Sequence, residues 1–196
     1  MRQITVQELM APTESYATIS EYGTLRDAVL ALQEAQRRER KSNPNLYRDR
    51  AVLVIEKGRI IGKLNMLDEI RGLEPRYDRF EGTRSSSVGA ARVGSARFLV
   101  ESMAKNFGLW QKPLSRLVQK ASNIYVRDLV RPYDETETVE LTATMDTAVH
   151  QFIVGQYQSL LVKSAGKLVG ILRLSDVYER FSEMIIACQP EQSEEQ

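Results

Sequence analysis

The sequence predicts an α/β chain in which one β-α-β-β-α unit is used twice. Three observations predict it. Apolar runs Ser159–Val162 and Leu168–Leu172 flank Gly166, and Ser175-Asp176 then opens a helical stretch from Val177 to about Cys188, so the segment reads strand, turn, strand, helix. The same order occurs at Val52–Ile55, Lys57-Gly58, Ile60–Leu64 and Asp68-Glu69-Ile70, with Gly62 and Asp68 standing where Gly170 and Asp176 stand later. The opening Ile4–Pro12 also recurs as Ile124–Pro132, keeping Ile4/Ile124, Val6/Val126, Leu9/Leu129 and Pro12/Pro132 in step. A constant spacing across several elements is the signature of an internal repeat.

Taken in order, each lead-in reads as a short helical turn that stops near its proline, because the residue before proline is pushed out of the α region. Thr24–Arg37 is a helix: Thr24 faces Asp27 in a capping-box-like start, and Leu25, Ala28, Val29, Leu32 and Ala35 recur at helical spacing. The second copy puts Met145, Ala148, Val149, Phe152 and Ile153 on the corresponding face. The first copy is longer before its next strand, and the surplus Arg37–Asn45 is polar and contains Asn and Pro, as surface loops do. Both hairpins turn on glycine, Gly58 and Gly166, which supplies the positive φ of a tight turn. The expected boundaries are residues 1–73 for the first repeat, 74–123 for a basic, helical linker, 124–186 for the second repeat and 187–196 for an acidic tail.

Within the linker, Gly82–Gly94 is rich in small residues. Ser95–Phe107 reads as an amphipathic helix closed by Gly108, and a second short helix follows Pro113 with Leu114, Leu117 and Val118. Trp110 lies at the corner between the two.

Composition narrows the class. The 196 residues are 42% hydrophobic and 27% charged, ordinary for a globular chain with a real core. A net charge of +1 gives no support to a global polyelectrolyte role on nucleic acid or membrane. The single cysteine, Cys188, reads as a packing residue in a reducing compartment, and a cytoplasmic location is expected. No run of about 20 apolar residues occurs. His150 and Cys188 make neither a metal site nor a nucleophile–base pair, and no Gly-Lys-Ser/Thr phosphate loop is present. An enzyme is not expected. Basic residues cluster in the linker without interleaved aromatics, which argues against a nucleic-acid partner.

At the strand-to-helix junctions the two copies read Gly62-Lys-Leu-Asn-Met-Leu-Asp68 and Gly170-Ile-Leu-Arg-Leu-Ser-Asp176. Together with the repeated lead-in, helix and hairpin, these phrases resemble a tandem pair of cystathionine-β-synthase-type (CBS) domains, the regulatory unit called a Bateman module. The resemblance covers residues 1–73 and 124–186. It implies an α/β (α+β) fold of two repeats packed pseudo-symmetrically with an inserted helical linker. It also implies a non-catalytic sensor, commonly a homodimer, that binds AMP, ADP, ATP or S-adenosylmethionine in clefts between repeats and signals to an effector protein. No cofactor is required; the adenine nucleotide is a regulatory ligand.

By the same resemblance Asp176 and Asp68 are candidate ribose acceptors, a role that two carboxylate oxygens suit. The family's phosphate-contacting Thr/Ser is replaced by Asn65 and Arg173. Asn65 can donate a hydrogen bond. Arg173 has three readings: it grips phosphate in its planar fork, it fills the cleft, or it pairs with an acidic neighbour. The resemblance also implies that Thr18, Ile19 and Val139, which enter the first strand of each sheet, offer backbone groups to the adenine ring, and that Ala51 and Ser159, which begin the hairpin strand, line the same cleft; the plainer reading of any one of them is an ordinary strand residue. A plain helix-capping role for the aspartates stands beside the ribose reading, and a ligand-independent dimerisation scaffold stands beside the sensor.

Overall fold

In the computed structural model, which describes residues 4–42, 51–74 and 108–188, contacts divide the chain into two compact units. One contains Met1–Tyr16, Arg38–Asp49 and Pro132–Gln196, and the other Ala17–Arg37 and Arg50–Arg131. Each unit thus joins the sheet of one sequence repeat to the lead-in of the other.

The unit carrying the first repeat's sheet has three strands, β2 (Thr18–Ser20), β3 (Ala51–Glu56) and β4 (Arg59–Asn65), in the order β2-β3-β4. β2 runs parallel to β3, and β3 pairs antiparallel with β4. The Lys57-Gly58 turn has φ of 48° and 78°, the left-handed pair that a two-residue hairpin requires. Val52, Leu53, Val54 and Leu64 are fully buried. Helix α2 (Leu25–Ser42) buries Leu25, Ala28 and Leu32, and Thr24 N donates to Asp27 Oδ2 at 2.9 Å while Asp27 N donates to Thr24 Oγ1 at 3.2 Å. That reciprocal box is the start expected from the sequence. The helix runs to Ser42, however, so the first part of the polar surplus extends the helix and is not loop; Glu34 and Arg37 support that region with a 2.8 Å ion pair.

The second lead-in completes this unit. Val126 N donates to Gly23 O, Arg127 N to Glu21 O, and Leu25 N to Ile124 O. Val126 is fully buried with Leu25, Ala28, Val54, Leu64 and Ala121. Helix α3 (Met66–Arg71) follows β4 directly, and helix α4 (Leu114–Ala121), the short helix expected after Pro113, buries Leu117 and Ala121. Trp110 N donates to the carboxylate of the deeply buried Glu74, which ties the corner at Gly108–Trp110 to the end of α3. The Gly82–Gly94 run, the helix expected over Ser95–Phe107 and the acidic residues Glu191–Gln196 lie outside the described residues.

The other unit repeats the plan. Its sheet has the order β1-β7-β6-β5, with β1 (Ala11–Pro12), β5 (Thr138–Glu140), β6 (Ser159–Ser164) and β7 (Lys167–Arg173). The first lead-in, with its one-turn helix α1 (Val6–Leu9), supplies β1, which pairs with β7 at Ala11↔Ile171 and Pro12↔Gly170. Val6 N donates to Ala143 O, and Met145 N to Ile4 O. Helix α5 (Met145–Gly155) buries Met145, Ala148 and Phe152 against Val6, Leu160, Val162 and Leu172. Ile153, expected on the same face, is 71% exposed, one residue round the helix from Phe152. Helix α6 (Leu174–Ala187) starts a turn earlier than expected and buries Val177, with Leu174 and Phe181 leaning on the core. Its last turn lies outside, so Cys188 is exposed and is not the packing residue that its apolar neighbours suggest. His150 is exposed. Among the described residues no helix is long and apolar enough to cross a membrane.

Candidate functional site

Each unit builds one strand-to-helix junction, and the two junctions hold their polar groups differently. In the first, Asn65 ends β4 with extended backbone (φ −98°, ψ 168°) and caps α3, its Oδ1 accepting from Leu67 N at 2.8 Å and Asp68 N at 3.1 Å. Asp68, the third helical residue, returns the bond: its Oδ2 accepts from Asn65 N at 3.0 Å. Two ligand candidates are thus a reciprocal cap, which contributes about 1 kcal/mol on its own account. Asp68 Oδ1 faces Arg71 Nη1 at 3.8 Å, with the two side chains 18% and 19% exposed. Burial pushes the Asp68 carboxyl above the usual carboxylate range; the Asn65 N–H and the charges of Arg71, Arg131 and Lys63 pull back. Ala51 sits directly opposite Asn65 on β3. Thr18 and Ile19 lie one strand further, opposite Leu53 and Val54.

In the second junction Asp176 holds the same third helical position in α6, and Arg173 ends β7 as Asn65 ends β4. Arg173 Nε donates to Asp176 Oδ2 at 2.6 Å, with the side chains 15% and 17% exposed. Of its three readings, pairing with an acidic neighbour is the one present. Ser159 sits opposite Arg173 on β6, as Ala51 sits opposite Asn65. Val139 in β5 lies opposite Val162 and has its side chain in the core.

Sequence reasoning did not place Arg131 or Glu69. A shallow depression in the first-repeat unit is lined by Asp68, Arg71, Gly72, Leu129 and Arg131. The spacing of Asp68 and Arg71 on one short helix is readable in the sequence; nothing local ties Arg131, at the end of the second lead-in, to Asp68. Glu69 has a buried Oε1 with no hydrogen-bond partner among the described residues. Burial first and the neighbouring Asp68 charge second raise its carboxyl from 4.5 to about 7. Stability from this group is therefore fully present below pH 4.5 and is lost as pH rises through 7, because the folded chain holds a proton there that the unfolded chain has released. Glu69→Gln is expected to flatten that decline. The gain at pH 8 is on the order of 1 kcal/mol after discounting for partial exposure. Urea denaturation at pH 5.5 and pH 8 checks it: parallel pH dependences for both proteins would refute it.

A carboxylate at the third helical position after the last strand of a hairpin, present once in each unit, defines a duplicated two-junction α/β module. Residues 123–183 match the family model described as "CBS domain". The second repeat is thus similar to CBS domains in sequence, and the chain as a whole has the fold of CBS-pair proteins. It is similar to the CBS-pair protein CBSX2 from Arabidopsis thaliana at 17% identity and a TM-score of 0.57, over 95% of this chain and 100% of that one. It is also similar to CBSX2 in complex with AMP at 19% identity and a TM-score of 0.55, over 92% and 97% of the two chains. An uncharacterized conserved protein from Pyrococcus horikoshii is similar at 15% identity and a TM-score of 0.55, over 92% and 95%. No curated protein matches the chain in sequence.

Proposed function

We propose that this chain is a non-catalytic regulatory module that binds an adenine nucleotide at its strand-to-helix junctions and passes occupancy to a partner protein. One observation carries the reading. Asp68 and Asp176 occupy the same third helical position in two separately built units, each half-buried with a guanidinium within 4 Å. A carboxylate so held offers acceptors to a vicinal diol. The likeness to a fold that holds AMP in CBSX2 supports the ligand class. The cytoplasm suits such a ligand. Binding can bias the module's states only by its differential affinity for them, so the output rests on a partner that reads one state. Exposed Tyr178, Ile185 and Ile186 on α6 supply apolar surface for self-association as a homodimer.

Calorimetric titration of AMP into nucleotide-free protein tests the reading. Asp176→Ala or Asp68→Ala at the working junction is expected to weaken binding roughly tenfold to a hundredfold, the worth of a hydrogen bond to a charged group. Thermal denaturation separates lost binding from the lost cap in Asp68→Ala. No heat from AMP, ADP, ATP or S-adenosylmethionine would sink the reading. It would favour the ligand-independent scaffold, which has an observation of its own: Arg173 and Asp176 already satisfy each other at 2.6 Å.

A further inference from the structure

Between β2 and α2 the chain turns through Glu21–Thr24, and the second lead-in is fastened to that turn by its backbone. Val126 N donates to Gly23 O at 2.8 Å, Arg127 N to Glu21 O at 3.0 Å and Leu25 N to Ile124 O at 2.8 Å. Three side chains stand on this frame. Tyr22 is 62% exposed and Tyr125 46%, and the Arg127 guanidinium carbon lies 5.7 Å from the first ring's centroid and 5.0 Å from the second's, within cation–π range of both. Asp128 Oδ1 is 3.8 Å from Arg127 Nε, with the two side chains 59% and 49% exposed, a loose surface pair of little worth. Among the described residues, neither phenol hydroxyl and none of the Arg127 guanidinium N–H groups has a hydrogen-bond acceptor. The internal repeat supplies a comparison. In the other unit the same frame forms from Val6 N to Ala143 O and from Met145 N to Ile4 O, and the bridge Thr24↔Tyr125 has its counterpart in Thr5↔Thr144. The positions in step with Tyr22, Tyr125 and Arg127 are there Thr142, Thr5 and Gln7. The frame therefore folds without aromatic rings or a cation, and the exposed trio is not a requirement of the fold.

From this we infer that Tyr22, Tyr125 and Arg127 form a docking site for a segment of a partner protein that presents a carboxylate beside an apolar side chain. The two rings offer apolar area on few rotatable bonds, and paired backbone and a shared guanidinium hold them, so little order is lost on binding. The guanidinium fork matches a carboxylate, and the two phenols add donors around it. Asp128 is too loosely held to compete with a bidentate carboxylate. At these exposures the rings present on the order of 200 Å², against the roughly 800 Å² that each partner buries in a standard interface. That is an anchor for a short segment and by itself too little to hold a second copy of the chain. A single cation beside Asp128 is also a poor match for a nucleic-acid backbone, whose binding neutralises several phosphates at once. The site rests on the function proposed above only for there being a partner, and not on the nucleotide.

The test is selection of a randomised peptide library, displayed on phage, against the full chain with and without AMP. Fluorescence polarisation then measures the enriched peptides on the wild type, Tyr22→Thr, Tyr125→Thr, Arg127→Gln and Gln7→Ala. The three exchanges install residues that the same frame holds in the other unit, so melting temperatures are expected to stay within about 2 °C of the wild type. Enriched peptides are expected to carry Asp or Glu next to Leu, Phe or Trp. Their affinity should fall at least about tenfold in each exchange variant, and equally when the peptide's carboxylate becomes an amide, while Gln7→Ala leaves it unchanged. Enriched peptides without an acidic residue, or binding that survives all three exchanges, would overturn the site. So would no enrichment under either condition. Single-stranded oligothymidylate that binds the wild type and is lost in Arg127→Gln would give the patch to nucleic acid, and a dimer in sedimentation that Tyr22→Thr dissociates would give it to a second copy; either overturns the proposal. Because selection runs with and without AMP, failure of the nucleotide reading in calorimetry leaves this result readable, and failure here leaves the nucleotide reading standing.

Discussion

Gly170→Val is expected to lower the melting temperature by roughly 6–12 °C, from a loss of about 3 kcal/mol at 2–4 °C per kcal/mol for a chain of this size. The cause is a close approach and not a special backbone angle. A Cβ at Gly170 would lie 2.5 Å from Met10 Sδ and 2.7 Å from Ala11 O. The methionine can swing aside, but the carbonyl belongs to β1, which pairs with β7 at that residue. Gly62 stands in the same relation to the other lead-in, with Arg131 O and Val130 Cγ2 each 2.7 Å from its would-be Cβ, and Gly62→Val should cost a similar amount. Gly166→Asn is the control. Gly166 has φ of 74° and nothing within 4 Å of its Cβ position, and asparagine tolerates the left-handed region, so the melting temperature should move by no more than about 2 °C. A melting temperature for Gly170→Val within that same margin would refute the account.

Phe152→Ala is expected to cost about 3–5 kcal/mol, while Ile153→Ala one residue along costs less than about 0.5 kcal/mol. Phe152 is 4% exposed and packs with Val6, Met145, Leu160 and Leu172; Ile153 is 71% exposed. Urea denaturation of the two variants measures both. Comparable losses would mean that the face of α5 turned inward is broader than the structure shows.

That contrast marks where the sequence stops being informative. Apolar residues at helical spacing predict that α5 exists and that Met145, Ala148 and Phe152 share a face, because the helical period is a local property. The edge of the face depends on what lies across from it. Ile153 falls on the wrong side of that edge, and no pattern within the helix says so. Cys188 fails in the same way, beside isoleucines that are themselves exposed.

The junctions were legible as positions and not as arrangements. The repeat brings Asn65 and Arg173, Asp68 and Asp176 into correspondence, and the structure seats each pair on the same strand end and helical turn. What each side chain does there differs. Asn65 is short enough to cap its helix, so Asp68 completes a box; Arg173 has no acceptor to offer and turns its guanidinium onto Asp176 instead. The lone Glu69 Oε1 is a product of burial, which a charged letter in a sequence does not reveal.

The sequence by itself determined the repeated unit: its hairpins, its helix starts and the two strand-to-helix aspartates. These rest on turn chemistry, capping and periodicity, each of which acts over a few neighbouring residues. Only the tertiary structure decided that each lead-in joins the sheet of the other repeat. That exchange makes Gly62 and Gly170 packing residues and brings Arg131 to Asp68. Such contacts join residues far apart in the chain, and they are chosen by which buried surfaces and backbone hydrogen bonds are satisfied together, a condition with no local signature.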